Sequence, residues 1–125
     1  MIAGSAFQKY GPALEKNQQI LLGLSDMMIE IYFAESALLR TLKNTNKGID
    51  TKYQTDMTKL YVFNATITVI SKSKEVIGNI SEDNEQLRLI KSVHRLCKYD
   101  KLPNIISIKN RIADKVIAEN QYCFL

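Results

Sequence analysis

The sequence is poor in the residues that carry most enzyme chemistry. It has a single histidine, His94, and two cysteines, Cys97 and Cys123. One histidine with no Glu-x-x-His pair excludes the dinuclear carboxylate site of a helical bundle. Two cysteines without CxxC spacing exclude a disulfide framework and favour a reducing, cytoplasmic compartment. The five glycines, Gly4, Gly11, Gly23, Gly48 and Gly78, are dispersed. Neither a phosphate-cradling loop nor a dinucleotide fingerprint is therefore present. No apolar run reaches the ~18 uncharged residues of a membrane span, because acids interrupt the longest one. The opening residues, MIAGSAFQKYGP, lack the charged and apolar regions of a signal peptide.

What is there is an ordinary globular balance. The chain has 125 residues, 46% hydrophobic and 24% charged, enough for a single domain with a real core. Net charge is +4, and the excess is local. Glu85–Lys115 holds eight bases against three acids. Such a segment can face phosphate or an anionic membrane, or be a solvated helix face. Nucleic acid is not expected as a partner: Tyr99 is the one nearby aromatic and no recognition motif accompanies the bases.

Periodicity predicts an all-α bundle of about four helices. The first runs from near Pro12 to Lys43. Leu21, Leu24, Met28, Ile31, Glu35, Leu38 and Leu42 share one face, and Leu22, Ile29 and Phe33 another. A helix apolar on more than one side belongs between other elements. NTNKGID, residues 44–50, is a turn, and Asp50 or Thr51 can cap the next helix, Thr51–Ile77. There the stripe is Tyr53, Met57, Leu60, Ile67 and Ile70. YVFNATITVI is rich in β-branched residues, but the flanking residues keep helical spacing, and an isolated strand would have no partner. Gly78-Asn79 should end that helix and Ser81 cap a third, Glu82–Tyr99. The third sets Leu89, Ile90, Val93, Leu96 and Cys97 against Arg88, Lys91, Arg95 and Lys98. Asn104 caps a fourth helix to Asn120, with Ile105, Ile108, Ile112, Ala113, Val116 and Ile117 inward. Residues 1–7, small and apolar, suggest a helix that packs closely on something absent, and with it a fragment of a longer chain. The close of the chain, Tyr122 to Leu125, is likewise apolar.

The acids of LLGLSDMMIEIYFAESALLRT pose the functional question. Asp26 and Glu35 lie in apolar surroundings, and a buried carboxylate needs a cation and hydrogen bonds. The alternative is a carboxylate of raised pKa acting as a base. Asp26, Glu30 and Glu35 lack convergent ligands from other helices, which argues against a metal. His94 and Cys97 are three apart on a helix, but Cys97 lies on the apolar side and reads as a small core residue.

The run FQKYGPALEKNQQILLGLSDMMIEIYFAESALLRT, Phe7–Thr41, resembles the extra C-terminal region of acyl-CoA dehydrogenases of the very-long-chain type, the bacterial ones above all. The resemblance is carried by Ala3–Ala6, Gln8-Lys9, Gln19–Leu21, Asp26-Met27, Glu30, Tyr32 and Ala34–Arg40. The segment from Leu102, LPNIISIKNRIADKVIAENQYCF, is similar to the end of those enzymes. Leu24–Met27 also matches an LADM stretch in the family's main C-terminal bundle. The resemblance implies a non-catalytic all-α domain of a flavoenzyme that turns an acyl-CoA into the trans-2-enoyl-CoA and passes electrons to an electron-transfer flavoprotein. FAD, the acyl-CoA pocket and the glutamate base would lie in other domains, so no catalytic or cofactor-binding residue is carried onto this chain. The domain would pack on the catalytic core of a homodimer, and mitochondrial relatives link the region to membranes. Asp26 and Glu35 would be structural buried acids. Arg88, Lys91, Arg95 and Lys98 would be a face for an anionic surface. An independent helical interaction or membrane-surface module is the alternative.

Overall fold

The computed structural model describes residues 1–123. All regular elements among them are helices. They are α1 (Ile2–Tyr10), a short 3-10 helix (Gly11–Lys16), α2 (Gln18–Asn46), α3 (Lys52–Ile80), α4 (Asp83–Leu96) and α5 (Ile105–Glu119). The class is the expected one, with five α-helices where the periodicity suggested four. The extra break falls at Gly11. Its φ of +52° is a left-handed conformation that glycine adopts at little cost, and Pro12 follows at the start of the 3-10 helix. The β-branched run of α3 is helical throughout.

The chain divides into two compact units: residues 1–32 with 66–99, and residues 33–65 with 100–125. The first contains α1, the 3-10 helix, the start of α2, the end of α3 and α4. Its core joins Ala6, Ile20, Leu24, Met27, Val76 and Ile80, with a second cluster of Ile77, Leu89 and Val93. Here the N-terminal expectation is corrected. Ala6 of α1 is fully buried within the chain and Ala3 packs against the same core, whereas Gly4 is exposed. The Tyr10 hydroxyl donates to Asn79 Oδ1 at 2.9 Å and Lys9 Nζ donates to the Asn79 carbonyl at 2.7 Å. These bonds tie α1 to the last turn of α3, which runs on through Gly78 and Asn79 to Ile80. Ser81 is no N-cap. It is buried, and its hydroxyl donates back to the Ile77 carbonyl at 2.7 Å.

The second unit contains the rest of α2 and α3 together with α5. Its interior is unusually polar. Thr41 donates to the Ala37 carbonyl, so the 2.8 Å contact between the Thr41 and Thr58 hydroxyls takes its proton from Thr58. Asn44 donates to Gln54 at 3.0 Å, and the Thr45 and Thr51 hydroxyls lie 2.8 Å apart. The Asp50 carboxylate accepts the Lys52 N–H, and Asn104 caps α5 by accepting from the Ser107 N–H, both at 3.1 Å. On α5, Ile108 is buried, whereas Ala113 and Ile117, expected inward, are exposed. Phe124 and Leu125 lie outside the described residues. Among the described residues no helix is long and apolar enough to cross a membrane.

Candidate interaction surface

Helix α2 presents two chemically different sides. In the first unit it buries Ile20, Gly23, Leu24 and Met27; in the second it buries Thr41 and half-buries Ala34, Ala37 and Asn44. These positions repeat at three-four spacing, so they form one side of the helix. In the first unit that side is mostly bulky and apolar, but at Gly23 it is bare for a geometric reason. A Cβ on Gly23 would stand 2.8 Å from Val76 Cγ2, so α2 and α3 lie too close at that point for a side chain. Of the stripe that looked like the core face, Leu24 is buried, but Met28, Ile31, Leu38 and Leu42 are exposed. In the second unit Leu38 is 46% exposed, Leu39 57% and Leu42 49%.

That reversal corrects the reading of the acids. Glu35 does share its side with Leu38 and Leu42, but the side faces outward. Glu35 is exposed in this chain and makes no hydrogen bond or ion pair with the other described residues. Asp26 is half-exposed, with Lys72 Nζ 3.8 Å from its Oδ2; Lys72 also stands 3.6 Å from Glu75. A solvent-screened pair of this kind contributes little to stability. Neither acid is buried within the chain.

The buried acid is Asp56, which sequence reasoning missed. It is 5% exposed and accepts two hydrogen bonds from Arg111. A signal was available. Asp56 sits three residues after Tyr53 and four before Leu60, on the α3 stripe. Arg111 sits three after Ile108 on α5.

On α4, Leu89 and Val93 are buried, while Arg88, Lys91, Arg95 and Lys98 are all exposed. Arg88 stands 4.0 Å from Glu85. The other three have no ion pair with the described residues. Leu96, expected inward, is exposed because α4 ends there, and Cys97 is half-buried at its C-cap. Burial pushes the Cys97 thiol up from its ordinary pKa. His94 is exposed. Among the described residues no three His, Cys, Asp or Glu side chains cluster as metal ligands.

A groove of about 650 Å³ opens in the second unit between α2 and α3, lined by Phe33, Ala37, Arg40, Met57, Tyr61 and Tyr122 among others. Its polar groups are one guanidinium, an amide and hydroxyls, and Thr41 and Thr58 already bond to each other. The groove therefore brings together neither a nucleophile with a base nor a pair of carboxylates.

The family model described as the acyl-CoA dehydrogenase C-terminal domain matches residues 1–95. A probable acyl-CoA dehydrogenase of Bacillus subtilis is 30% identical over 122 residues, 96% of this chain and 20% of that protein. The crystal structure of an acyl-CoA dehydrogenase complexed with FAD from Bacillus anthracis superposes with a TM-score of 0.93 at 28% identity, covering 99% of this chain and 21% of that one. The chain thus spans about one fifth of the length of these relatives. The family-model match over three quarters of the sequence places this chain in the acyl-CoA dehydrogenase C-terminal domain family.

Proposed function

We propose that the chain works as a single non-catalytic C-terminal domain of an FAD-dependent acyl-CoA dehydrogenase. It packs on the catalytic core and braces a homodimer. The observation that carries this reading is the outward leucine side of α2, Leu38, Leu39 and Leu42, left exposed while the same stretch of helix buries Thr41 and half-buries Ala34 and Ala37. Patches of this kind are interaction surfaces more often than solvated ones. In the enzyme as a whole, acyl-CoA is oxidised to the trans-2-enoyl-CoA and electrons leave for an electron-transfer flavoprotein. FAD supplies the hydride acceptor there. The residues of this chain do not fit that cofactor. The groove offers a single cation, Arg40, and the dispersed glycines form no phosphate cradle. FAD therefore belongs to the core.

The test is deletion of the matching region from the Bacillus subtilis relative, followed by addition of this chain. Association, with recovery of dimer, thermal stability and FAD retention, is the expected result. A truncated enzyme that stays dimeric, flavin-loaded and fully active, and ignores the chain, would sink the proposal.

The exposed bases of α4 favour a second role for the same domain, as a contact to an anionic surface such as the cytoplasmic face of a membrane. Its apolar side is committed to the core of the first unit, which makes this an electrostatic contact without insertion.

A further inference from the structure

We infer that the outward side of α2 in the second unit, Glu35 with Leu38, Leu39 and Leu42, docks on the catalytic core of the dehydrogenase, and that the core presents a lysine or arginine to Glu35 inside an otherwise apolar contact. This deepens the proposed function and rests on it.

Positions 35, 38, 39 and 42 follow three-four spacing and lie over one another on the helix. The three leucines are each about half exposed, so they are not the isolated surface leucines that any protein tolerates. Among the described residues of the unit, α2 buries Thr41 and half-buries Ala37 on another side, which leaves about half of each leucine open. Whatever covers Leu38 and Leu42 also covers Glu35, which stands between them and the preceding turn. A carboxylate stripped of water without a cation would oppose the docking that the leucines drive. Since Glu35 has no partner among the described residues, the cation comes from outside them. The relatives hold four fifths of their length beyond the part matched here, and that remainder is the nearest source of such a surface. The contact is thus specific in charge as well as greasy. Docking out of register would leave Glu35 facing leucine or backbone.

The experiment is a full-length chimera in which this chain replaces the matching fifth of the Bacillus subtilis relative, studied beside the 125-residue chain alone. Glu35→Lys, Glu35→Gln and Leu38→Asp are introduced into both, with Lys47→Glu, at an exposed site outside the stripe, as a control. In the chimera, Glu35→Lys and Leu38→Asp should lower the unfolding midpoint by about 5 °C or more, and speed proteolytic release of the domain on the order of tenfold or more. Glu35→Gln should fall between them and wild type. In the isolated chain the same Glu35 changes should move the midpoint by less than about 1 °C, as expected at an exposed site. The docking is overturned if the chimera is as stable with Glu35→Lys and Leu38→Asp as without them. It is also overturned if the isolated chain sediments as a dimer that these substitutions dissociate, since the stripe would then meet a second copy. A wild-type chimera that does not assemble or hold FAD removes the proposed function itself, and this inference falls with it.

Discussion

Arg111 holds Asp56 through two parallel hydrogen bonds, Nε to Oδ2 and Nη2 to Oδ1, both 2.8 Å. Its third nitrogen, Nη1, donates to the Ser107 hydroxyl at 2.9 Å, which fixes the plane of the guanidinium. The pair fastens α5 to α3 in a unit whose buried apolar residues, among those described, are few, Ala65 and Ile108. Only a planar fork can satisfy both carboxylate oxygens at once.

Replacing Asp56 with Asn should therefore destabilise the chain by about 1–3 kcal/mol in urea unfolding, because a buried partner group loses its hydrogen bonds. Arg111→Lys should also lower stability, since an ammonium keeps the charge but cannot span both oxygens. Unchanged midpoints would mean that α5 is held by Ile108 and its neighbours alone.

The same pair predicts a pH dependence. Hydrogen bonds from Arg111 hold the Asp56 carboxyl below the usual carboxylate range, against the opposing effect of burial, and the charges of Arg111, Lys59 and Lys52 add to the lowering. A lowered pKa means that ionised Asp56 stabilises the fold at all pH values above its unfolded pKa, and that this contribution fades as the pH falls through the lower folded value. The stability advantage of wild type over Asp56→Asn should be flat from about pH 5 to 7 and shrink below about pH 4. Parallel denaturant titrations across that range check it. An advantage that grew towards acid would reverse the assignment.

Gly23→Ala sets two effects against each other. Alanine in a helix gains about 1 kcal/mol over glycine. The new methyl would meet Val76 Cγ2 at 2.8 Å, and Val76 is buried and β-branched, with little room to yield. Overpacking costs about 1–3 kcal/mol, so the clash should win and the midpoint should fall. In a Val76→Ala background the same change should become neutral or favourable. Thermal unfolding of the four proteins of this cycle measures the coupling.

Changing Arg88, Lys91, Arg95 and Lys98 together to Gln should leave folding within about 1 kcal/mol of wild type, since all four are exposed. Binding to vesicles rich in anionic lipid should be lost with the same change, and wild-type binding should weaken as salt is raised. Equal binding by both proteins in a flotation assay would assign the bases to simple solvation.

Cys97 should be a slow thiol. Burial raises its pKa, so at neutral pH its thiolate fraction falls below that of a free cysteine. Iodoacetamide labelling followed by peptide mass analysis should show a rate below that of a model thiol, climbing as pH rises beyond the usual thiol range. Rapid labelling at neutral pH would contradict the burial.

The helices themselves were legible because their signals are local. Asn104 caps α5, and the turn before Lys52 falls where the break in periodicity put it. Less legible was the side of α2 that turns inward. Two apolar stripes compete on that helix, and bulk made the wrong one look like the core. The choice depends on how closely α3 approaches, a distance that Gly23 and Ala37 hint at but cannot fix alone. Within the chain, the acid that is buried and paired with a base is Asp56 rather than Glu35. Arg111 lies 55 residues away, a separation at which periodicity carries no information about pairing.

The division of α2 into a tight side and a broad side bears on how this chain can vary. Scored by folding of the isolated chain, Gly23 would be nearly immutable, and Leu38, Leu39 and Leu42 would tolerate most polar residues. Scored in the assembled enzyme, those leucines would become intolerant while Gly23 kept its rank. The difference between the two mutational maps would trace the outline of the proposed docking surface without a structure of the complex.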